Sequence, residues 1–133
     1  MRKTELQINL SNLENNLKVI KSKTSAEIQA VIKANAYGLD INEVCEAIED
    51  QVESFAVITV DEALNLRKRT KKPILILQGI HEIADYHEIE NSDLDFVVHS
   101  DWQLENIPDI DFSKNRAWLK INTGMNRLGF HPE

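Results

Sequence analysis

Five short apolar runs recur along this chain, centred near residues 31, 56, 75, 96 and 119, and most are separated by segments that open on helix-capping residues. Runs this short, rich in Val, Ile, Leu and Phe and lacking polar alternation, suit strands buried on both faces. Between them, Ser11-Asn12-Leu13-Glu14, Asp40-Ile41-Asn42-Glu43, Thr59-Val60-Asp61-Glu62 and Ser100-Asp101-Trp102-Gln103 place an oxygen-bearing side chain three residues ahead of a carboxylate or amide. That is the spacing at which both side chains satisfy amides at a helix start. Leu13, Leu17 and Ile20 then predict a helix over 11–23. Ile41, Val44, Cys45 and Ile48 predict a second, and Ala63, Leu64 and Leu66 a third. Ahead of the first helix, Leu6, Ile8 and Leu10 alternate with polar residues, as in a short strand with one buried face. Short strands alternating with helices predict an α/β fold of parallel βαβ units. No Gly-x-Gly-x-x-Gly follows the strand near 31, so a dinucleotide-binding sheet gains no support. Periodicity alone does not separate a closed barrel from an open sheet.

Charge narrows the partners. Fifteen basic residues against twenty-two acidic ones leave a net charge of −7, which argues against nucleic acid or an anionic membrane surface. No apolar run approaches the roughly 18 residues of a membrane span, and the N-terminal residues lack a signal peptide's apolar core. The single Cys45 has no internal disulfide partner and suits a reducing cytoplasm.

The chemistry concentrates in two stretches. In the first, Val31-Ile32-Lys33-Ala34-Asn35-Ala36-Tyr37-Gly38, a lysine interrupts a strand where burial of an ammonium is costly. Lys33 is therefore expected at the strand's end. There it either reaches solvent along its aliphatic stem or, if desolvated, forms a Schiff base with an aldehyde. In the second, Leu119-Lys120-Ile121-Asn122-Thr123-Gly124-Met125-Asn126-Arg127-Leu128-Gly129-Phe130, glycines permit sharp turns that can aim Arg127 inward, and its planar fork suits a carboxylate or phenolate. His81, His87, His99 and His131 form no metal-ligand spacing and read as loop histidines. Asp61 and Glu62 read as helix-start carboxylates, and Trp102 and Trp118 as core residues.

The stretch from Ala30 to Gly38 closely resembles the pyridoxal-phosphate signature of the alanine racemases, and the stretch from Leu119 to Phe130 resembles the same family's arginine loop. The resemblance implies that Lys33 holds pyridoxal 5'-phosphate covalently and acts as base on the D-alanine side. It also implies that Tyr37 bonds the cofactor phosphate, that Arg127 contacts the cofactor's ring oxygen and the substrate carboxylate, and that Lys120 is carbamylated so as to hold Arg127 in place. Without that modification Lys120 would repel Arg127 or reach solvent. Leu39-Asp40 stands where the family often has His-Gly, and Asn122 where it often has aspartate.

By the same resemblance the sheet is expected to be the N-terminal part, about five strands, of a (β/α)8 TIM-type barrel. Such a barrel usually takes about 250 residues, so these 133 residues are expected to be a fragment. Residues 1–10 would then be a strand whose usual partner is a missing β-domain, and 11–133 the partial, pyridoxal-phosphate-binding barrel. The strands bearing Lys33 and Leu119 would be free edges. The implied activity is interconversion of L- and D-alanine for cell-wall peptidoglycan, by a cytoplasmic homodimer when full-length. The fragment alone is expected to be inactive, because racemisation needs a base on each face of the carbanion. A racemase for serine or lysine, a non-catalytic pyridoxal-phosphate-binding protein and a plain α/β interaction module remain alternatives.

Overall fold

A computed structural model describes residues 3–106 and 114–132. Its order is α1 (Leu10–Lys21), β1 (Gln29–Val31), a turn α2 (Lys33–Gly38), α3 (Ile41–Ile48), β2 (Ser54–Val57), α4 (Val60–Arg67), β3 (Ile74–Ile76), α5 (Ile83–Ile89), β4 (Asp95–Val98), α6 (Asp101–Asn106) and β5 (Ala117–Leu119). All five strands pair in parallel, in chain order β1-β2-β3-β4-β5. Each of the five apolar runs has become a strand, and the unbroken order is that of successive βαβ units winding one way round.

The two faces of the sheet bury different residues. Phe55, Val57, Ile74, Ile76, Phe96 and Val98 join the main core with Val44, Ile48, Ala63, Leu66, Tyr86 and Ile89 from the helices. Ala56, Leu75 and Val97, one residue out of step, form a smaller cluster with Leu77 on the other face. That parity follows from the two-residue repeat of a strand, and it places Trp118 and Lys120 on the second face with them. Trp118 donates its indole N–H to Asp95 there (3.2 Å).

Sequence expectations fail at four places. The strand over Leu6, Ile8 and Leu10 is not formed: residues 3–9 have no regular structure, Leu6 is 70% exposed, and no described strand lies alongside to supply hydrogen bonds. Helix α1 is capped by Asn9, whose side chain accepts the Asn12 amide (3.2 Å), not by Ser11. Helix α5, unanticipated, starts from a capping box of Glu82 and Asp85. Trp102 and Trp118 remain nearly half exposed; Trp118 lies on an end strand, where no further described strand covers it. Two of the other expected caps form, with Asp40 accepting from Asn42 and Glu43, and Thr59 from Glu62, whereas at the start of α6 the Gln103 side chain accepts the amide of His99 instead of that of Ser100.

Candidate active site

Lys33 begins a turn of the wrong hand. Ala34, Asn35, Ala36 and Tyr37 all lie at φ between 51° and 56°, the left-handed region that costs an L-residue about 1–2 kcal/mol. Asn35 tolerates that region better than most residues, but Ala34, Ala36 and Tyr37 bear the cost of their Cβ atoms, and the surroundings hold them there. Ala36 is buried, and its amide donates to the Ile32 carbonyl (2.9 Å). Asn35 Oδ1 accepts the Ile41 amide (2.9 Å), fastening the turn to the start of α3. Glu62, on α4, accepts the Ala34 amide through Oε1 (2.7 Å) and the Ile58 amide through Oε2 (2.9 Å). Gly38 follows at φ 86° in open space, so conformation rather than crowding calls for glycine there. Strain held in this way is characteristic of functional sites.

The loop bearing Arg127 is closed at its base. The Asn122 amide donates to the Phe130 carbonyl (2.8 Å), and the Phe130 amide to that of Lys120 (2.9 Å). Inside the loop, Asn122 Oδ1 accepts the amides of Gly124 (3.1 Å) and Asn126 (3.0 Å), while Nδ2 donates to Asn126 Oδ1 (2.9 Å). An aspartate could not make that last donation, so asparagine builds its own version of the loop. Gly129 is required by both space and conformation: at φ 113°, a Cβ would come within 2.9 Å of the Asn122 nitrogen.

The ends of the strands open on a cavity of about 360 Å³, within the range of small-molecule sites. Lys33 enters it from the end of β1, Ile58 from β2, Leu77 and Gln78 from β3, and Lys120, Arg127 and Leu128 from β5 and its loop. Three cations therefore converge at one point of a chain with net charge −7. Lys120 is held by the Leu77 carbonyl (3.2 Å), and burial, then the Arg127 charge, lower its pKa below the usual lysine value. Lys33, Lys120 and Arg127 are thus brought together from opposite ends of the sheet. Tyr37 is not: it leaves the turn 64% exposed and does not line this cavity.

Two positions matter here that sequence reasoning passed over. Glu62 is more than a helix-start carboxylate, because it reaches two strand exits. Gln103, 1% exposed, accepts the His99 amide (2.7 Å) and donates to the Ile80 carbonyl (3.0 Å), joining the exits of β3 and β4. His99 in turn donates from Nε2 to the Gln78 carbonyl (3.0 Å), so it supports a cavity residue. The Ser-x-x-Gln spacing after β4 was the available signal for Gln103.

An alanine racemase of Pseudomonas entomophila is 40% identical over 135 residues, covering 100% of this chain and 38% of the relative. One from Neisseria gonorrhoeae is 37% identical over 134 residues, covering 99% and 38%. The crystal structure of the biosynthetic alanine racemase from Pseudomonas aeruginosa superposes with a TM-score of 0.85 at 35% identity, over 92% of this chain and 35% of that one. The chain thus spans somewhat over a third of the length of the relatives it matches. Its parallel five-stranded α/β sheet corresponds to the N-terminal barrel domain of those proteins. With the family model described as alanine racemase, N-terminal domain, matching residues 8–133, the chain belongs to the alanine racemase N-terminal domain family.

Proposed function

We propose that this chain supplies the cofactor-lysine portion of an alanine racemase, which interconverts L- and D-alanine with pyridoxal 5'-phosphate. The observation that carries this is the convergence of Lys33 and Arg127, from the first strand and the loop after the last, on one cavity. The lining fits the cofactor chemically: an amine for its aldehyde, a guanidinium for its phenolate oxygen, and a cationic surround for its negative charge. When bound, the cofactor supplies the electron sink that makes an amino acid's α-proton acidic.

The chain's own residues position and exchange protons. Lys33 attaches the cofactor and takes or returns the α-proton on the D-alanine face. Arg127 orients the substrate carboxylate and the ring oxygen. Lys120, once carbamylated, offers Arg127 an anion in place of a repelling ammonium, and Tyr37, from outside the cavity, would donate to the phosphate. Residues 1–10 and 11–133 act as two segments, the first pairing with a β-domain. The full-length enzyme is a cytoplasmic homodimer supplying D-alanine for peptidoglycan. Among the described residues no helix is long and apolar enough to cross a membrane.

The test is to add pyridoxal phosphate and record the visible band of the lysine-bound cofactor, with Lys33→Ala as control. A band of equal strength in Lys33→Ala would overturn the assignment. Of the residues lining the cavity, the two lysines alone carry a group able to act as a base, and both belong to the chemistry just described. A coupled D-alanine assay is accordingly expected to find no turnover by this chain alone. Substantial turnover would show that a second base lies within it.

A further inference from the structure

The parallel ladder between β1 and β2 ends where the Ile32 amide donates to the Ala56 carbonyl (2.9 Å). Beyond that bond the chain passes Lys33 and turns left-handed from Ala34 on, and the two strand exits have no ladder bond to hold them. Glu62 occupies the gap. Its own amide is held by the Thr59 hydroxyl (3.4 Å), which sets it in the first turn of α4. One carboxylate oxygen then takes the amide of Ala34 (2.7 Å), and the other takes the amide of Ile58 (2.9 Å). Stabilising a helix dipole asks only for negative charge in the first turn. It does not ask that the charge grip the residue after Lys33.

We infer that Glu62 is a positioning residue for Lys33, acting as a two-oxygen clamp that continues the β1–β2 ladder past its last bond and holds the left-handed turn. The inference rests on the assignment of Lys33 as the cofactor lysine. The Ala34 amide directly follows the Lys33 carbonyl, so fixing it fixes the backbone from which the Lys33 side chain departs. Ile58, gripped by the other oxygen, is itself a wall of the cavity. Both bonds are charge-assisted and short. Without them the turn would exchange its protein acceptor for water and be free to relax towards the right-handed region that its alanines prefer.

The experiment uses two readouts on this chain and on its Glu62→Ala and Glu62→Gln variants. The first, without cofactor, is amide hydrogen exchange at Ala34 and Ile58, with the β3 and β4 amides as the measure of intact fold. The second is the share of borohydride-trapped pyridoxal phosphate found on Lys33 relative to all other lysines. Glu62→Ala is expected to raise exchange at Ala34 and Ile58 tenfold or more, leave β3 and β4 protected, and reduce the Lys33 share several-fold. Glu62→Gln keeps one acceptor oxygen and is expected to release only one of the two amides. It serves as the deciding variant if Glu62→Ala fails to fold. Unchanged exchange at Ala34 in folded Glu62→Ala, or at both Ala34 and Ile58 in folded Glu62→Gln, overturns the clamp, and so does an unchanged Lys33 share despite faster exchange at Ala34. If the unaltered chain shows no preference for Lys33, the cofactor assignment fails, while the Ala34 exchange rates still decide whether Glu62 holds the turn.

Discussion

The ε-amino group of Lys120 donates to the backbone carbonyl of Leu77 at 3.2 Å, passing β4 to join the ends of β5 and β3. Neighbours two strands apart meet in this way when a parallel sheet curls, since side chains from alternate strands form layers inside a barrel. The contact places a lysine amine beside Arg127 on the cavity wall.

That amine is expected to react with carbon dioxide more readily than an exposed lysine does. Burial and the Arg127 charge hold its pKa below 10.5, so more of it is neutral at any given pH below that value. The free amine attacks carbon dioxide, an N–C bond forms and one N–H proton passes to solvent. In ¹³C-bicarbonate a carbamate resonance is expected, absent from Lys120→Arg. A resonance that survives the substitution would place the modification elsewhere.

Arg127→Ala is expected to weaken pyridoxal phosphate binding about tenfold to a hundredfold, the equivalent of losing one hydrogen bond to a charged group, worth about 1.5–3 kcal/mol. Lys33 should remain labelled at saturating cofactor. Tyr37→Phe is expected to cost less than about tenfold, because a side chain 64% exposed already bonds water. Titration of the visible band measures both.

Gln103→Leu removes an amide that serves the His99 N–H and the Ile80 carbonyl within a 1%-exposed site. Leaving two such groups without partners is expected to cost about 2–4 kcal/mol. Gln103→Glu keeps an acceptor for His99 but sets a carboxylate against the Ile80 carbonyl in a buried site, a repulsion that protonation relieves. Urea unfolding should find both variants less stable than the unaltered chain, with Gln103→Glu recovering as pH falls and Gln103→Leu not.

Cys45 gives a pH dependence with a definite sign. Burial, and then the Glu49 charge, push its thiol up from 9.0 to about 11. Between those values the unfolded chain has lost the thiol proton and the folded chain retains it, so stability falls as pH rises through that window. Below the window the contribution is fully present. The difference in stability between the chain and Cys45→Ala should therefore narrow from pH 9 towards pH 11, as read by urea unfolding. The native thiol should also resist a thiol reagent at neutral pH, reacting only as the chain unfolds.

Where local chemistry suffices, the sequence was easily read. Asp40 and Thr59 cap their helices because a side-chain oxygen three residues from an amide needs nothing else, and runs such as 74–77 became strands because apolar β-branched residues fit a sheet covered on both faces. Leu6, Ile8 and Leu10 show the limit of that reasoning: their alternation is that of a strand, and yet an alternating segment forms one only beside a partner that completes its hydrogen bonds. Trp118 shows it again, since an apolar residue is buried only if another element covers it.

By itself, then, the sequence determined the five strands, most of the helix starts and the residue types able to hold an aldehyde cofactor. All of these are properties of a few neighbouring residues and their backbone preferences. Tertiary structure alone decided that Lys33, Lys120 and Arg127 meet in one cavity, that Tyr37 stays outside it, and that Glu62 leaves its own helix to hold the turn after Lys33. Those outcomes depend on how far successive βαβ units rotate and in what register the strands pair, which no short window of residues records.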